Sequence, residues 1–385
     1  MSGPLLTKGF EVEMFTGRPD GVVVGCAADA ARELEGFVTE PDQRNLEYIT
    51  PPDADYQRQL RFLLEPRLRL RRWLALRDLT LLPGSTLSLG DSGRFERSDP
   101  ANSYHGSIER LYGTRVVTAS VHINLGMRAL DPLFASLRLL RCEAALLLAL
   151  STSSPFLDGQ ATGAQSQRWL QFPLTPPEVP LFLSHDHYVT WMHEQLAQGS
   201  MLNVRHLWTS VRPNGDRRPE SLNRVEIRIC DLISDPALLL AVTAWAELRM
   251  LMLMGDPNRL DPLLASQLTP AELANLADRN DRAAAQDGLD STLLHWRTGD
   301  PLLARDWLEE ELVAMGPLAQ RLGLDATLKP LRLVLDAGSE SIRWLRRLRA
   351  GEPIARIIAT EAMAMEARDF AIWEQLTTDH AHSLG

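Results

Sequence analysis

The sequence predicts an α+β protein whose sheet lies in its first two thirds. Three observations carry this. Up to about residue 235, short β-branched and aromatic runs alternate with helical stretches, and from residue 236 onward nearly every segment places apolar residues at helical spacing. Three of the early strands also carry polar residues two apart, the period of one strand face. At 385 residues the chain exceeds one typical domain of roughly 100 to 200 residues. The expected organisation is a sheet-bearing region over residues 1–235 and a mainly helical region over residues 236–385, packed on the same unit.

Strands are expected in FEVEMF, GVVVG, NLEYIT, TLSLG, VTASVHINL and RVEIRIC, and helices around residues 56 to 79 and 131 to 151. PGSTLSLG at 83–90 has the glycine and hydroxyl content of a turn into a strand, and lacks the lysine of a phosphate-binding loop. PLTPPEVP at 173–180 holds too many prolines for a strand or helix and is expected as a rigid surface loop. DPALLLAVTAWAELRMLMLM opens a helix on Asp235 and Pro236. LTPAELANLADRN opens another on Thr269 and Pro270, with Glu272 as the acid of its first turn. Further helices are expected at 302–323, 326–349 and 352–376.

Composition narrows the function classes. No uninterrupted apolar run reaches the roughly 18 to 20 residues of a membrane span, so no membrane partner is expected. A net charge of -10 argues against a nucleic-acid partner. One basic run, RLRLRRWLALR from Arg67 to Arg77, reads as a solvated helix face, with a helix lending an arginine to an anionic substrate as the alternative. Cys26, Cys142 and Cys230 are odd in number and far apart, which fits reduced thiols. The N-terminal MSGPLLTKGFEVEM lacks a basic stretch followed by an apolar core, so a cytoplasmic protein is expected. His185 and His187 in SHDHY resemble a zinc pair but lack partner ligands, and a loop or pocket wall is expected there.

The polar pairs carry the chemistry. In a strand, side chains at i and i+2 share a face, so Glu11 and Glu13 stand together opposite Phe10, Val12 and Met14. His122 and Asn124 do the same in VHINL, as do Glu226 and Arg228 in VEIRI. An ordinary half-exposed sheet is the alternative, but its wet face favours Thr, Lys, Ser and Gln rather than this set. Clustered carboxylates repel unless a cation sits between them. Oxygen donors select hard cations such as Mg²⁺, which shares its remaining positions with water and nucleotide phosphates. Glu47, inside NLEYIT, and Glu40, on the preceding loop, extend the set. No Walker-type or GxGxxG turn is present, so any nucleotide is held without a P-loop or a Rossmann turn.

GFEVEMFTG, EPDQRNLEYITPP, PGSTLSLG, SYHGSIERLYGT, TASVHINLG, SSPFLDG, RHLWTSVRPNGDRRP and NRVEIRICD together resemble the glutamate–cysteine ligases, specifically the cyanobacterial-type branch of the carboxylate–amine ligase superfamily. The resemblance covers most of the chain and is densest from about residue 8 to 236. It implies a glutamine synthetase-like fold, with a curved, mostly antiparallel sheet forming a funnel-shaped active site and helices outside. It also implies a cytoplasmic enzyme that uses ATP and Mg²⁺ to join L-glutamate through its γ-carboxyl to the amine of L-cysteine. By the same resemblance Glu11, Glu13, Glu40, Glu47, His122 and Glu226 are metal ligands, and Asn124, His122 and Arg228 contact the nucleotide. Arg228 and Glu226 serve catalysis, and Arg168 and Arg212 grip substrate.

Overall fold

The computed structural model describes residues 5–383, with side chains through residue 378. Alternating apolar residues make β1 (Lys8–Gly17) the centre of a sheet that β2 (Phe37–Thr39), β3 (Asn45–Ile49), β4 (Thr80–Leu82) and β5 (Val121–Gly126) extend. Two short strands, β6 (Phe156–Leu157) and β7 (Gln160–Ala161), form a separate hairpin. β8 (Val211–Asn214) and β9 (Arg224–Ile227) complete the main sheet, and β10 (Thr292–Leu294) pairs with β11 (Pro301–Leu303) apart from it. The seven-stranded sheet runs β2-β3-β1-β5-β9-β8, with β4 also on β1, and each of its pairings is antiparallel.

Helices cover the apolar side. They are α1 (Ala27–Glu33), α2 (Tyr56–Ala75), α3 (Ser103–Tyr112), α4 (Leu130–Ser151), α5 (Gln167–Gln171), α6 (His185–Ala197) and α7 (Pro236–Gly255). There follow α8 (Pro257–Leu260), α9 (Pro262–Ala265), α10 (Pro270–Asp287), α11 (Ala304–Leu322), α12 (Asp325–Ala337), α13 (Glu340–Arg349) and α14 (Ile354–Ser383). α4 is buried almost all round because it contacts β8 and β9 and also packs on α7 and α10. Each fully buried leucine there contributes roughly 1.5–3 kcal/mol relative to exposure. α7 is long and apolar enough to span a membrane, and 78% of its most apolar window is buried inside the fold. Its start is as expected, with the Asp235 carboxylate accepting from Ala237 N ahead of Pro236. α10 opens on a capping box between Thr269 and Glu272.

One continuous core draws residues from both sides of residue 236. Lys8 of β1 and Glu247 of α7, both fully buried, pair at 2.8 Å, and Tyr56 of α2 donates to the same carboxylate at 2.6 Å. Isolated burial of either charge is prohibitive, so this pair registers the C-terminal helices against the central strand.

Some expectations are corrected. GVVVG forms only an isolated bridge between Val23 and Gly17, because Val23 N donates to Leu89 O rather than into the sheet. TLSLG is a largely buried turn: Thr86 donates to Phe156 O of β6, and Ser88 Oγ is buried without a partner. The helix expected over 326–349 breaks at Gly338, whose φ of +90 ends α12 before α13 begins. His185 and His187 form the first turn of α6, where His187 Nδ1 accepts from Leu183 N and His185 Nε2 donates to Pro219 O at 3.0 Å.

The basic run is corrected most sharply. Arg67 and Arg71, one turn apart on α2, are buried and converge on Asp369 of α14 at 3.2 and 2.9 Å, while Arg69, Arg72 and Arg77 face out. Asp369→Ala leaves two buried guanidiniums uncompensated and is expected to lower the unfolding free energy by about 3–5 kcal/mol. A urea titration checks this, and a loss under about 1 kcal/mol would mean that the pair is hydrated and the helix contact rests on packing alone.

Candidate active site

Antiparallel register turns the separate polar pairs into one surface. Glu13 lies opposite Glu47, Glu11 opposite His122, and Asn124 opposite Glu226, which in turn faces Arg212. The alternate residues Phe10, Val12, Met14, Val121, Ile123, Leu125, Val225 and Ile227 are buried on the other face. This face division follows from the two-residue strand period. The polar face floors a cavity of about 910 Å³ lined by Glu11, Glu13, Glu40, Glu47, His122, Arg168, Arg212 and Arg228. A neighbouring cavity of about 620 Å³ shares Glu11 and adds Asn124. A larger one, about 1170 Å³, lies among α7, α8 and α11 and has none of the aligned strand residues, so the chemistry is assigned to the sheet.

His122 is the junction. Its Nδ1 lies 3.0 Å from Glu11, 3.9 Å from Glu226 and 3.3 Å from Arg228 Nη1, and its Nε2 lies 3.1 Å from Ser120 Oγ and 3.8 Å from Glu13. One ligand atom each from Glu11, His122 and Glu226 falls within a sphere suited to a cation, all within 4.8 Å of one another. Asn124 Nδ2 donates to Glu11 and its Oδ1 accepts from Arg224 Nε, both at 3.2 Å.

Charge divides the cavity into two ends. At the β3 end, Glu40 and Glu47 have no ion pair among the described residues, and Glu40, Glu13 and Glu11 lie close enough to Glu47 to repel its charge. Burial and that repulsion push the Glu47 carboxyl up to about 11. Burial raises Glu13 as well, with Glu40 adding repulsion and His122 partly offsetting it. At the β9 end the sign reverses. Glu226 is fully buried, yet Arg212 and Arg228 outweigh burial and hold its carboxyl well below the usual range. Arg212 grips it bidentately at 2.7 and 3.0 Å, Asn214 donates at 2.6 Å and Arg228 at 2.5 Å. An uncompensated acid cluster beside a compensated one fits a site for hard divalent cations, with oxygen donors at the unpaired end.

The two arginines expected at substrate line the cavity, but most of their donors serve the protein. Arg212 adds bonds from Nη1 to the carbonyls of Arg205 and Leu207. Arg168 holds the carbonyls of Ile229 and Arg228, each at 3.0 Å, and leaves a buried, unpartnered Nε. Asp231, 3.9 Å from Arg168, accepts from Ser153 N and the hydroxyls of Ser154 and Ser166. Together they fix the chain just beyond β9, where Arg228 emerges. Ser120, Asn214, Arg224 and Asp231 were not singled out from the sequence. Ser120 and Arg224 were within reach of it, since each continues a named pair by one more step of two.

If Glu226 depends on Arg212, then Arg212→Met alone should destabilise the protein by about 3–5 kcal/mol. Adding Glu226→Gln should recover part of that loss, a coupling that denaturant titration of the four proteins measures. Strictly additive losses would show the two side chains to be independent.

The glutamate–cysteine ligase family 2 model matches residues 7–362. The candidate glutamate–cysteine ligase 2 of Gloeobacter violaceus is 26% identical over 335 residues, 84% of this chain and 86% of that one. The corresponding protein of Thermobifida fusca is 27% identical over 282 residues, 72% and 67% of the two chains. Among solved structures, a glutamate–cysteine ligase of Francisella tularensis in complex with AMP matches with a TM-score of 0.68 at 16% identity, covering all of this chain and 94% of that one. A bifunctional glutathione synthetase of Pasteurella multocida matches with a TM-score of 0.73 at 16% identity over 95% of this chain, which spans about half, 53%, of that protein. At such identity the structures show the shared fold, and the family model over nearly the whole chain carries the assignment: the protein belongs to glutamate–cysteine ligase family 2.

Proposed function

We propose that the protein joins the γ-carboxyl of L-glutamate to the amine of L-cysteine at the expense of ATP, giving γ-glutamylcysteine, ADP and phosphate. The observation that carries this reading is the row of Glu47, Glu13, Glu11, His122, Asn124, Glu226 and Arg228 on one sheet face of a family member. A carboxylate does not react with an amine in water at a useful rate, so it needs an activated acyl group. In the reaction proposed, the γ-carboxylate takes the terminal phosphoryl group of ATP. The amine then attacks the acyl carbon, the C–N bond forms, phosphate leaves and the amine loses a proton. Such chemistry depends on positioning and charge neutralisation.

The residues divide that work. Glu11, Glu13, Glu40, Glu47 and Glu226, with His122, would hold Mg²⁺, which when bound supplies neutralisation and orientation of the phosphates. Asn124, tied to Glu11 and Arg224, presents an amide at the junction of the two cavities. Arg228 projects from the end of β9 with its guanidinium between Glu226 and His122, and its side chain is 12% exposed to the cavity. Burial opposes its charge, but Glu226 and Glu11 outweigh that, so it is a permanent cation available to the transferred phosphoryl group. Arg168, through the carbonyls beyond β9, and Arg212, through Glu226, hold that arginine in place. Cys26, Cys142 and Cys230 are buried and unpaired, which suits a reducing cytoplasm.

Phosphate release with Mg²⁺, ATP and L-glutamate should depend on L-cysteine, and mass analysis should identify γ-glutamylcysteine. Preference for a different amine would move the protein to another carboxylate–amine ligation. Arg228→Ala should keep the fold and Mg–ATP binding while turnover falls by roughly a hundredfold or more. Near-normal rates would take that arginine out of the reaction. Mg²⁺ alone should raise the midpoint of thermal unfolding, since a bound ion at about 100 times its dissociation constant stabilises by roughly 2.7 kcal/mol. The rise should shrink in Glu13→Gln, and a midpoint indifferent to Mg²⁺ in the unaltered protein would count against the cation site.

A further inference from the structure

An amino-acid substrate brings an α-carboxylate, and its binding calls for a cation not already committed to the protein. Arg168, Arg212, Arg224 and Arg228 all line the cavity, but each donates to protein acceptors. Arg218 lines it too and differs from all four. It is only partly exposed, yet among the described residues its guanidinium has neither a hydrogen bond nor an ion pair, and its Nη1 is fully buried without a partner. A buried donor left unmade costs free energy comparable to a lost hydrogen bond.

The β8–β9 connection holds Arg218 there. Gly215 passes so close to the returning strand that a Cβ would lie 2.1 Å from Ser221 O, and Arg217 bridges Ser221. Next to Arg218, the Pro219 carbonyl accepts from His185 Nε2 of α6 at 3.0 Å. The side chain therefore projects from a tethered loop. Arg205, exposed at the same cavity, adds a second positive charge near it, and Glu226, though it favours the charged form of Arg218, is itself taken up by Arg212. Burial lowers the Arg218 pKa, as do Arg228 and Arg205, so an incoming anion is favoured there.

We propose that Arg218 is the specificity-determining cation of the cavity, taking the α-carboxylate of an amino-acid substrate, with Arg205 reinforcing it from the rim. The proposal rests on the ligase reading above. The α-carboxylate belongs either to the donor, glutamate, or to the acceptor, cysteine, and the test separates the two.

Initial rates are measured for Arg218→Gln and Arg218→Lys while glutamate, cysteine and ATP are varied in turn. Loss of a charge-assisted contact should raise KM for one amino acid roughly ten- to hundredfold, with KM for ATP and the thermal midpoint unchanged. The amino acid affected identifies the source, and Arg218→Lys should recover only part of the loss because it keeps the charge without the planar fork. Unchanged KM values for both amino acids, or a rise confined to ATP, overturn the proposal. A second measurement stands apart from turnover. Calorimetry on the protein loaded with Mg–ADP compares L-glutamate with its α-amide, and L-cysteine with its amide. The unaltered protein should prefer the free carboxylate in one pair, and Arg218→Gln should lose that preference. If no γ-glutamylcysteine forms at all, the ligase reading fails, while this comparison still decides on Arg218. No preference in the unaltered protein, or one retained in Arg218→Gln, overturns the assignment.

Discussion

Glu11, Glu13, Glu40 and Glu47 line one sheet cavity and Glu226 lies fully buried on the same sheet face, and carboxylates that close cannot all ionise without positive charge between them. The surroundings meet that demand unevenly. At the β9 end the protein supplies its own cations, Arg212 and Arg228, to a fully buried Glu226. At the β3 end no cation pairs with Glu40 or Glu47 among the described residues, and burial and repulsion push the Glu47 carboxyl far above the usual range instead. A protein that needed only a stable sheet would put apolar or neutral side chains at those positions, because replacing buried charges by packed apolar groups is often stabilising. The uncompensated end is thus a stability cost consistent with a site that takes its positive charge from solution.

The same logic governs how the helices are fastened to the sheet. Lys8 lies on the strand that carries Glu11 and Glu13, and its buried partner Glu247 comes from α7. Arg249, two residues further along α7, pairs with Glu143 of α4 at 2.5 Å, and Trp296 donates to the same carboxylate at 3.0 Å. Asp369 of α14 receives Arg67 and Arg71 of α2. Each pair is weak as a source of stability but strict about register, since a one-residue slip would leave a charge buried alone. The helices that follow residue 236 are therefore registered at fixed points, α7 on the central strand and on α4, and α14 on α2.

The cavity arginines are fixed by contacts of the same kind. Arg228 is aimed by Glu226 on one side and, through its own carbonyl, by Arg168 on the other. Arg168 is in turn flanked by Asp231, whose oxygens are satisfied by Ser153, Ser154 and Ser166. Most donors of Arg168, Arg212 and Arg228 are thus taken up by the protein, whereas the Arg218 guanidinium has no hydrogen bond or ion pair among the described residues. On the assignment proposed above, that division separates the cations that shape the site from the one that recognises an incoming carboxylate.

The sequence by itself determined which residues share a face. A strand period of two put Glu11 with Glu13, His122 with Asn124 and Glu226 with Arg228, and the start signals of α7 and α10 were local enough to read directly. Tertiary structure decided everything that depended on a partner far along the chain. Local pattern could not tell that Arg67 and Arg71 point inward, because Asp369 lies 302 and 298 residues away. It could not show that Arg212 is spent on Glu226 across two strands, or that Arg218 two turns of loop later is not. Nor could it tell that GVVVG keeps a single bridge to β1 or that TLSLG forms no strand. Periodicity records which way a side chain points, whereas the charge that meets it there is set by how the chain folds back.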